Sequence, residues 1–179
     1  MSETFRLDAQ NGLTFMNANA YTARNSDFTE NIDVVCPKCE QKAAVVGARV
    51  DQPVAEYEEH VRFSCMSCGY AVKYINTPKF TVFVNSRGKA VHSRILLMNT
   101  DCDPFFGFRL WYIVETPYGA LWAYNLAHLT VIEQYIADKK RERNGLPNKN
   151  NSLASRLPQW AKHAKHRELL LRLIQRAKA

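Results

Sequence analysis

Apolar and polar positions change their period several times along the chain, and each change marks a different kind of element. Residues 1–31 carry no clear period: the segment is polar, holds Asn11, Asn17, Asn19, Asn25 and Asn31, and reads as an irregular lead-in. From Ile32 to Ile75 short β-like runs follow, at Ala43–Val50, Val61–Ser64 and Ala71–Ile75. Lys79–Asn85 is β-branched and aromatic and alternates imperfectly, Ser86–Lys89 supplies a turn, and Ala90–Met98 is the partner strand. Leu110–Glu115 and Ala120–Tyr124 form a further hairpin about Thr116-Pro117-Tyr118-Gly119, where Pro and Gly suit a tight turn.

The period then becomes helical. Leu126, Leu129, Ile132 and Ile136 share one face, Asn125 is placed to cap it, and the basic run Lys139–Arg143 suits a helix C-terminus. Asn144-Gly145-Leu146-Pro147 ends that helix, and Asn148–Asn151 reads as a polar linker. Ser152 can cap a short helix ending near Pro158, and over Pro158–Ala179 the residues Leu170, Leu173, Ile174 and Ala177 form the apolar stripe of an amphipathic helix.

Composition adds constraints. Hydrophobic content of 46% with 23% charged residues is that of a globular chain and excludes wholesale disorder. The longest uncharged stretch, Thr116–Ile132, contains Pro117, Gly119, Asn125 and His128, so no transmembrane helix is expected. Met1–Arg6 lacks a basic region followed by an apolar one, which points to the cytoplasm, where thiols stay reduced and paired cysteines more often hold metal than form disulfides.

Charge is unevenly placed. The net +7 divides into residues 137–179, with 12 Lys/Arg against Asp138, Glu142 and Glu168 (net +9), and residues 1–136, at −2. Such an asymmetry marks either an acidic partner, nucleic acid above all, or a solvated helical face.

The most specific signal is Cys36-Pro37-Lys38-Cys39 and Cys65-Met66-Ser67-Cys68, two Cys-x2-Cys turns separated by 25 residues. Each turn can aim two thiolates at one ion, and two turns complete a tetrahedral shell with Zn–S near ~2.3 Å. Residues 33–76 resemble the zinc-ribbon superfamily of three-stranded β modules, with Cys36, Cys39, Cys65 and Cys68 as ligands of one structural zinc. Iron is the alternative: rubredoxin-type sites share the Cys-x2-Cys-Gly-Tyr string seen at Cys65–Tyr70, although Glu40 stands where the first turn would carry its glycine. The expected fold is therefore α+β: a lead-in (1–31), a zinc ribbon (32–76), β-hairpins plus a helix (77–143) and a basic helical tail (144–179).

A four-thiolate shell has no open position for water or substrate, so the metal argues for structure rather than catalysis. The loop Asp51–Glu59 carries Asp51, Glu56, Glu58 and Glu59 with no base, which would repel phosphate. Cys102 lies between Asp101 and Asp103, which disfavour its thiolate; His92 and His128 have no partner motif; His163 and His166 are expected to face solvent. The aromatic block Phe105–Tyr124 contains one base, Arg109, and reads as core, whereas Trp160 beside Lys162 and Lys165 is either a stacking residue or an anchor for the tail.

Three further strings, Asp103-Pro104-Phe105-Phe106-Gly107, Leu121–Asn125 with His128-Leu129, and Asn151–Trp160, resemble an uncharacterised group of bacterial zinc-ribbon proteins. Members of that group often carry cysteines before the glycine of the second turn; this chain has Pro117-Tyr118-Gly119, so the resemblance implies no further thiol site and no activity. The expected function is non-catalytic nucleic-acid binding or recruitment through Arg141, Arg143, Arg156, Trp160, Lys162, Lys165, Arg172 and Arg176, lost on removing residues 137–179. The alternative is a protein–protein adaptor or assembly factor.

Overall fold

The computed structural model describes residues 19–141, 145 and 150–179; residues 1–18 of the expected lead-in, Arg143 and most of the expected helix stop and linker lie outside the described residues. In Asn31–Val35 (β1) Ile32 and Val34 face inward while Asp33 faces out to pair with Lys42, 3.3 Å away. This strand pairs antiparallel with Lys42–Val46 (β2), which pairs with Arg62–Ser64 (β3), which pairs with Ala71–Lys73 (β4). The sheet is thus a four-stranded meander where three strands were expected. The extra strand is short and half polar, so its alternation is hard to see ahead of Cys36. Ile32, Val45, Phe63 and Val72 align across all four strands, and the first three are fully buried. β2 stops at Val46, earlier than its apolar run suggests; the next residue, Gly47, runs so close to its neighbours that a Cβ there would meet the Thr29 carbonyl oxygen at 2.1 Å and the Phe105 ring at 2.5 Å.

The connection from β2 to β3 holds a short helix, Val54–Tyr57 (α1), and a 3₁₀ turn at Tyr74–Asn76 follows β4. Phe80–Val84 (β5) and Ala90–Ser93 (β6) form a separate two-stranded hairpin. The expected second strand ends at Ser93 because Arg94 turns inward, where its guanidinium lies over the Tyr74 ring and bonds Glu58, Thr77 Oγ1 and the Ile75 carbonyl.

Tyr112–Thr116 (β7) and Gly119–Ala123 (β8) make the last hairpin, closed by Pro117-Tyr118. It is joined to the first sheet by backbone bonds: Asp33 N–H donates to Tyr124 O (2.7 Å), Trp111 N–H to Asp33 O (2.9 Å) and Val35 N–H to Arg109 O (2.8 Å). Leu126–Ala137 (α2) packs on β8, and the C-terminal helix Arg167–Lys178 (α5) packs on both α2 and β7 with Leu170 and Ile174 fully buried. Leu153–Arg156 (α3), capped by Ser152, and Gln159–Lys162 (α4) fill the approach. The later part of the lead-in is no loose segment: Ala20, Tyr21, Ala23 and Phe28 are buried, and the Ala20 and Ala23 carbonyls accept from Ala154 N–H (2.8 Å) and Leu153 N–H (2.7 Å). Buried residues from Ala20 to Ile174 form one core.

Candidate metal centre and basic surface

In an antiparallel meander the first and third turns lie at the same end of the sheet. That places Cys36 and Cys39, between β1 and β2, beside Cys65 and Cys68, between β3 and β4. All four Sγ atoms lie within 4.8 Å of one another, with Cys36–Cys68 at 3.7 Å and Cys39–Cys65 at 3.5 Å. Disulfide sulfurs would be near ~2.0 Å. The edge of a tetrahedron with ~2.3 Å bonds is about 3.8 Å, so these two contacts match the spacing of ligands around one ion, and all four sulfurs are close enough to hold one.

The two turns share one backbone design. Cys36 N–H donates to Gln41 O (2.9 Å) and Glu40 N–H to Cys36 O (2.9 Å); Cys65 N–H donates to Tyr70 O (2.8 Å) and Gly69 N–H to Cys65 O (3.0 Å). Both turns need a left-handed residue after the second cysteine, which is Gly69 at φ 72 and Glu40 at φ 59. The missing first glycine thus did not change the geometry.

Charge within the cluster is divided. Burial acts to raise the Cys65 thiol, but the Cys68 and Ser67 backbone N–H groups and the Cys39 sulfur outweigh it and bring it down to about 6. At Cys39 the Gln41 N–H acts to lower the thiol, but burial and the three other sulfurs push it up to about 12. The Cys65 thiolate forms readily while Cys39 resists adding like charge beside it, a conflict that a divalent cation would remove. Lys38 reaches across from the first turn to sit 4.0 Å above the Tyr70 ring at the second.

The expected basic residues are dispersed among different tasks. Arg141 folds back to bond the Lys162 and Ile136 carbonyls, and Arg167 bonds Ile136 O (3.0 Å) and Asp138 O (3.2 Å), so these two satisfy the C-terminus of α2. Lys162 is half-buried and donates to Ser155 O (3.3 Å), and burial lowers its ammonium. Trp160 packs beside Gly119 and Tyr118 at the β7–β8 turn, and His166, expected in solvent, is buried with its ring stacked 3.9 Å from that of Tyr118. Arg156, Lys165, Arg172 and Arg176 are exposed.

His92, His128 and Cys102 are not brought together. His92 sits on the exposed hairpin with its Nδ1 3.3 Å from Thr81 Oγ1, and Cys102 bridges to Arg109 with its thiol raised by burial, Asp101 and Asp103. His128 is buried in α2; its Nδ1 accepts the Tyr124 N–H (3.2 Å), its ring stacks 4.5 Å from Phe28, and burial pushes the imidazole down to about 3. It borders a cleft of about 260 Å³ with Asn25, Asn99, Trp122 and Arg156, and neither His92 nor Cys102 lines it. Sequence reasoning missed Asp103 as a keystone: its buried carboxylate accepts from Phe105, Phe106 and Phe108 N–H groups at 2.9, 2.8 and 2.6 Å. An aspartate followed by Pro104, with Gly107 beyond, was the available signal.

Fold and site together define a mixed α/β protein with antiparallel strands, C-terminal helices and a four-cysteine group able to hold a metal ion. Compared with known proteins, the chain matches no family model, no curated protein and no solved structure. Among the described residues, no helix is long and apolar enough to cross a membrane.

Proposed function

We propose that this is a non-catalytic zinc-ribbon protein that binds or recruits nucleic acid through the exposed basic surface of its C-terminal helical segment. Four cysteine sulfurs within 4.8 Å of one another suit zinc, and a shell closed by four sulfurs holds a fold together rather than presenting a reactive site. The observation that carries nucleic-acid binding is the outer face of α5. Arg172 and Arg176 are exposed one turn apart, Lys165 is exposed just before the helix, and Glu168 is the acid on that face.

Removing residues 137–179 is the wrong test, because it would strip Leu170 and Ile174 from the core. The proper test replaces Lys165, Arg172 and Arg176 together by Glu and measures salt-titrated binding to single- and double-stranded DNA and RNA. Three phosphates left without a cation should flatten the slope of log K against log salt by about 2–3 and weaken all sequences alike. An unchanged slope and affinity would sink the reading. The alternative, a protein–protein adaptor, is favoured by the exposed apolar hairpin β5–β6; a complex retained at high salt and after nuclease treatment would support it.

A further inference from the structure

Three elements outside the cysteine turns enclose the cleft beside His128. β8 supplies Ala120 and Trp122, α2 supplies His128 and Ile132 one turn apart, and α3 supplies Leu153 and Arg156. Asn25 and Asn99 border it from elsewhere in the chain and bond each other, Asn25 Nδ2 donating to Asn99 Oδ1 at 2.9 Å. At about 260 Å³ the space lies just below the ~300 Å³ at which drug-sized pockets begin, so it suits one small ring.

His128 sets the chemistry inside. Its Nδ1 accepts the Tyr124 N–H, so the proton of the neutral imidazole sits on Nε2. The side chain is only 1% exposed, yet Nε2 has no partner among the described residues. The sealed side-chain polar atoms that lack a partner there are Tyr57 Oη, Tyr74 Oη and Arg141 Nε. His128 Nε2 is not one of them, so it is open, and the cleft is the space it borders. The same holds for Oδ1 of the buried Asn25, while the exposed Asn99 keeps its Nδ2 free. Burial pushes the imidazole down to about 3, so Nε2–H is a neutral donor at ordinary pH, suited to a carbonyl oxygen rather than to an anion.

The border is different. No Asp or Glu lines the cleft among the described residues, and the exposed guanidinium of Arg156 bonds only Asn151 Oδ1, at 3.0 Å. A cation is thus left at the edge of an apolar space that holds two neutral donors and one acceptor. A uracil or thymine ring carries the converse set, two carbonyl oxygens about one N–H, and its phosphate lies beyond the ring on the sugar. Cytosine offers one carbonyl only, and a purine needs room for a second ring. Unpaired bases are bound in this way, covered by an aromatic side chain and bonded along their edges.

We propose that this cleft is a nucleotide site that takes one unpaired uracil or thymine, with the ring against Trp122, its edge on His128, Asn25 and Asn99, and its phosphate on Arg156. It rests on the nucleic-acid reading for the source of the nucleotide, and it adds a base contact to the phosphate contacts of α5.

Titration calorimetry of the metal-loaded, nucleic-acid-free full chain tests this with UMP, CMP, AMP, uridine and inorganic phosphate. UMP should bind one to one with Kd of about 1 mM or tighter, at least about tenfold better than CMP, AMP or phosphate alone. Arg156→Gln should weaken UMP about tenfold and leave uridine unchanged. Ala120→Trp, a substitution at an exposed position on the cleft wall, should fill the space and abolish both, with circular dichroism unchanged. No UMP binding overturns the proposal, as does binding that survives Ala120→Trp, equal affinity for CMP, or an equal effect of Arg156→Gln on UMP and uridine. An oligo-dT strand and a duplex of the same length separate the two sources. If Ala120→Trp weakens the strand and spares the duplex, the base comes from single-stranded nucleic acid; if it spares both while UMP binding is lost, the ligand is the free nucleotide. Replacing Lys165, Arg172 and Arg176 by Glu should leave UMP binding intact, so failure of the α5 reading and failure of this site are distinguishable.

Discussion

At the scale of single residues, the metal turns show that backbone conformation counts for more than residue type. Glu40 accepts a left-handed conformation that glycine would adopt without cost, and the turn's two hydrogen bonds hold it there. His128 is the residue whose chemistry is most altered by folding. Its imidazole stays neutral in the folded protein down to about pH 3, whereas in the unfolded chain it takes a proton near pH 6.5. The unfolded state therefore binds more protons between these values, so stability is intact above the unfolded pKa and is lost as pH falls below it, by about 1.4 kcal/mol per unit. Urea unfolding at pH 7, 6 and 5 of wild type and His128→Gln should show a steeper acid loss in wild type by about one proton. Release of metal from the sulfurs is common to both proteins and cancels in the difference; parallel acid limbs would show that His128 does not titrate this way.

At the scale of elements, much was legible in the pattern because the signals are local. Alternation marks β7 and β8, helical spacing marks α2 and α5, and Asn125 does cap α2, its Oδ1 accepting from His128 N–H at 2.9 Å. What could not be read locally is that the same amide donates to Asn31 O (2.7 Å) and Phe28 O (3.2 Å), tying the helix start to segments nearly a hundred residues away. Asn125→Asp should keep the cap and lose those two donors, while Asn125→Ala should lose all three bonds. With about 1 kcal/mol per bond, the expected losses are about 2 and about 3 kcal/mol by denaturant unfolding. Equal losses for the two variants would show that the amide donors contribute nothing. β1 was missed because a five-residue strand with two polar positions carries little period, and β6 ended early because the buried role of Arg94 depends on Glu58, far away in sequence.

At the scale of the whole molecule, the four-cysteine group is part of the main core rather than an appendage. β1 leads directly into Cys36 and is hydrogen-bonded on its outer edge to residues 109–111 and Tyr124. Loss of an ion held there should therefore propagate. Metal analysis should find about one zinc per chain, and chelation or Cys36→Ser should lower the melting temperature by more than about 10 °C. Trp111, Trp122 and Trp160 all lie beyond the ribbon, so their fluorescence should follow the same transition as the far-ultraviolet signal. Unchanged tryptophan melting after metal removal would mean that the two parts fold independently.

The sequence by itself determined what is set by near neighbours: the cysteine spacing, the caps, the periods of most strands and helices, and the concentration of charge in the last quarter of the chain. The tertiary structure alone decided which of those charges are free. Arg141 and Arg167 satisfy carbonyls at the end of α2 and Lys178 pairs with Glu133, while Arg156, Lys165, Arg172 and Arg176 remain exposed. It also decided that the hairpin β5–β6 meets solvent although its apolar run reads like any buried strand. Exposure and pairing depend on which distant segments pack together, and a one-dimensional pattern carries burial only when the partner surface is implied by the pattern itself.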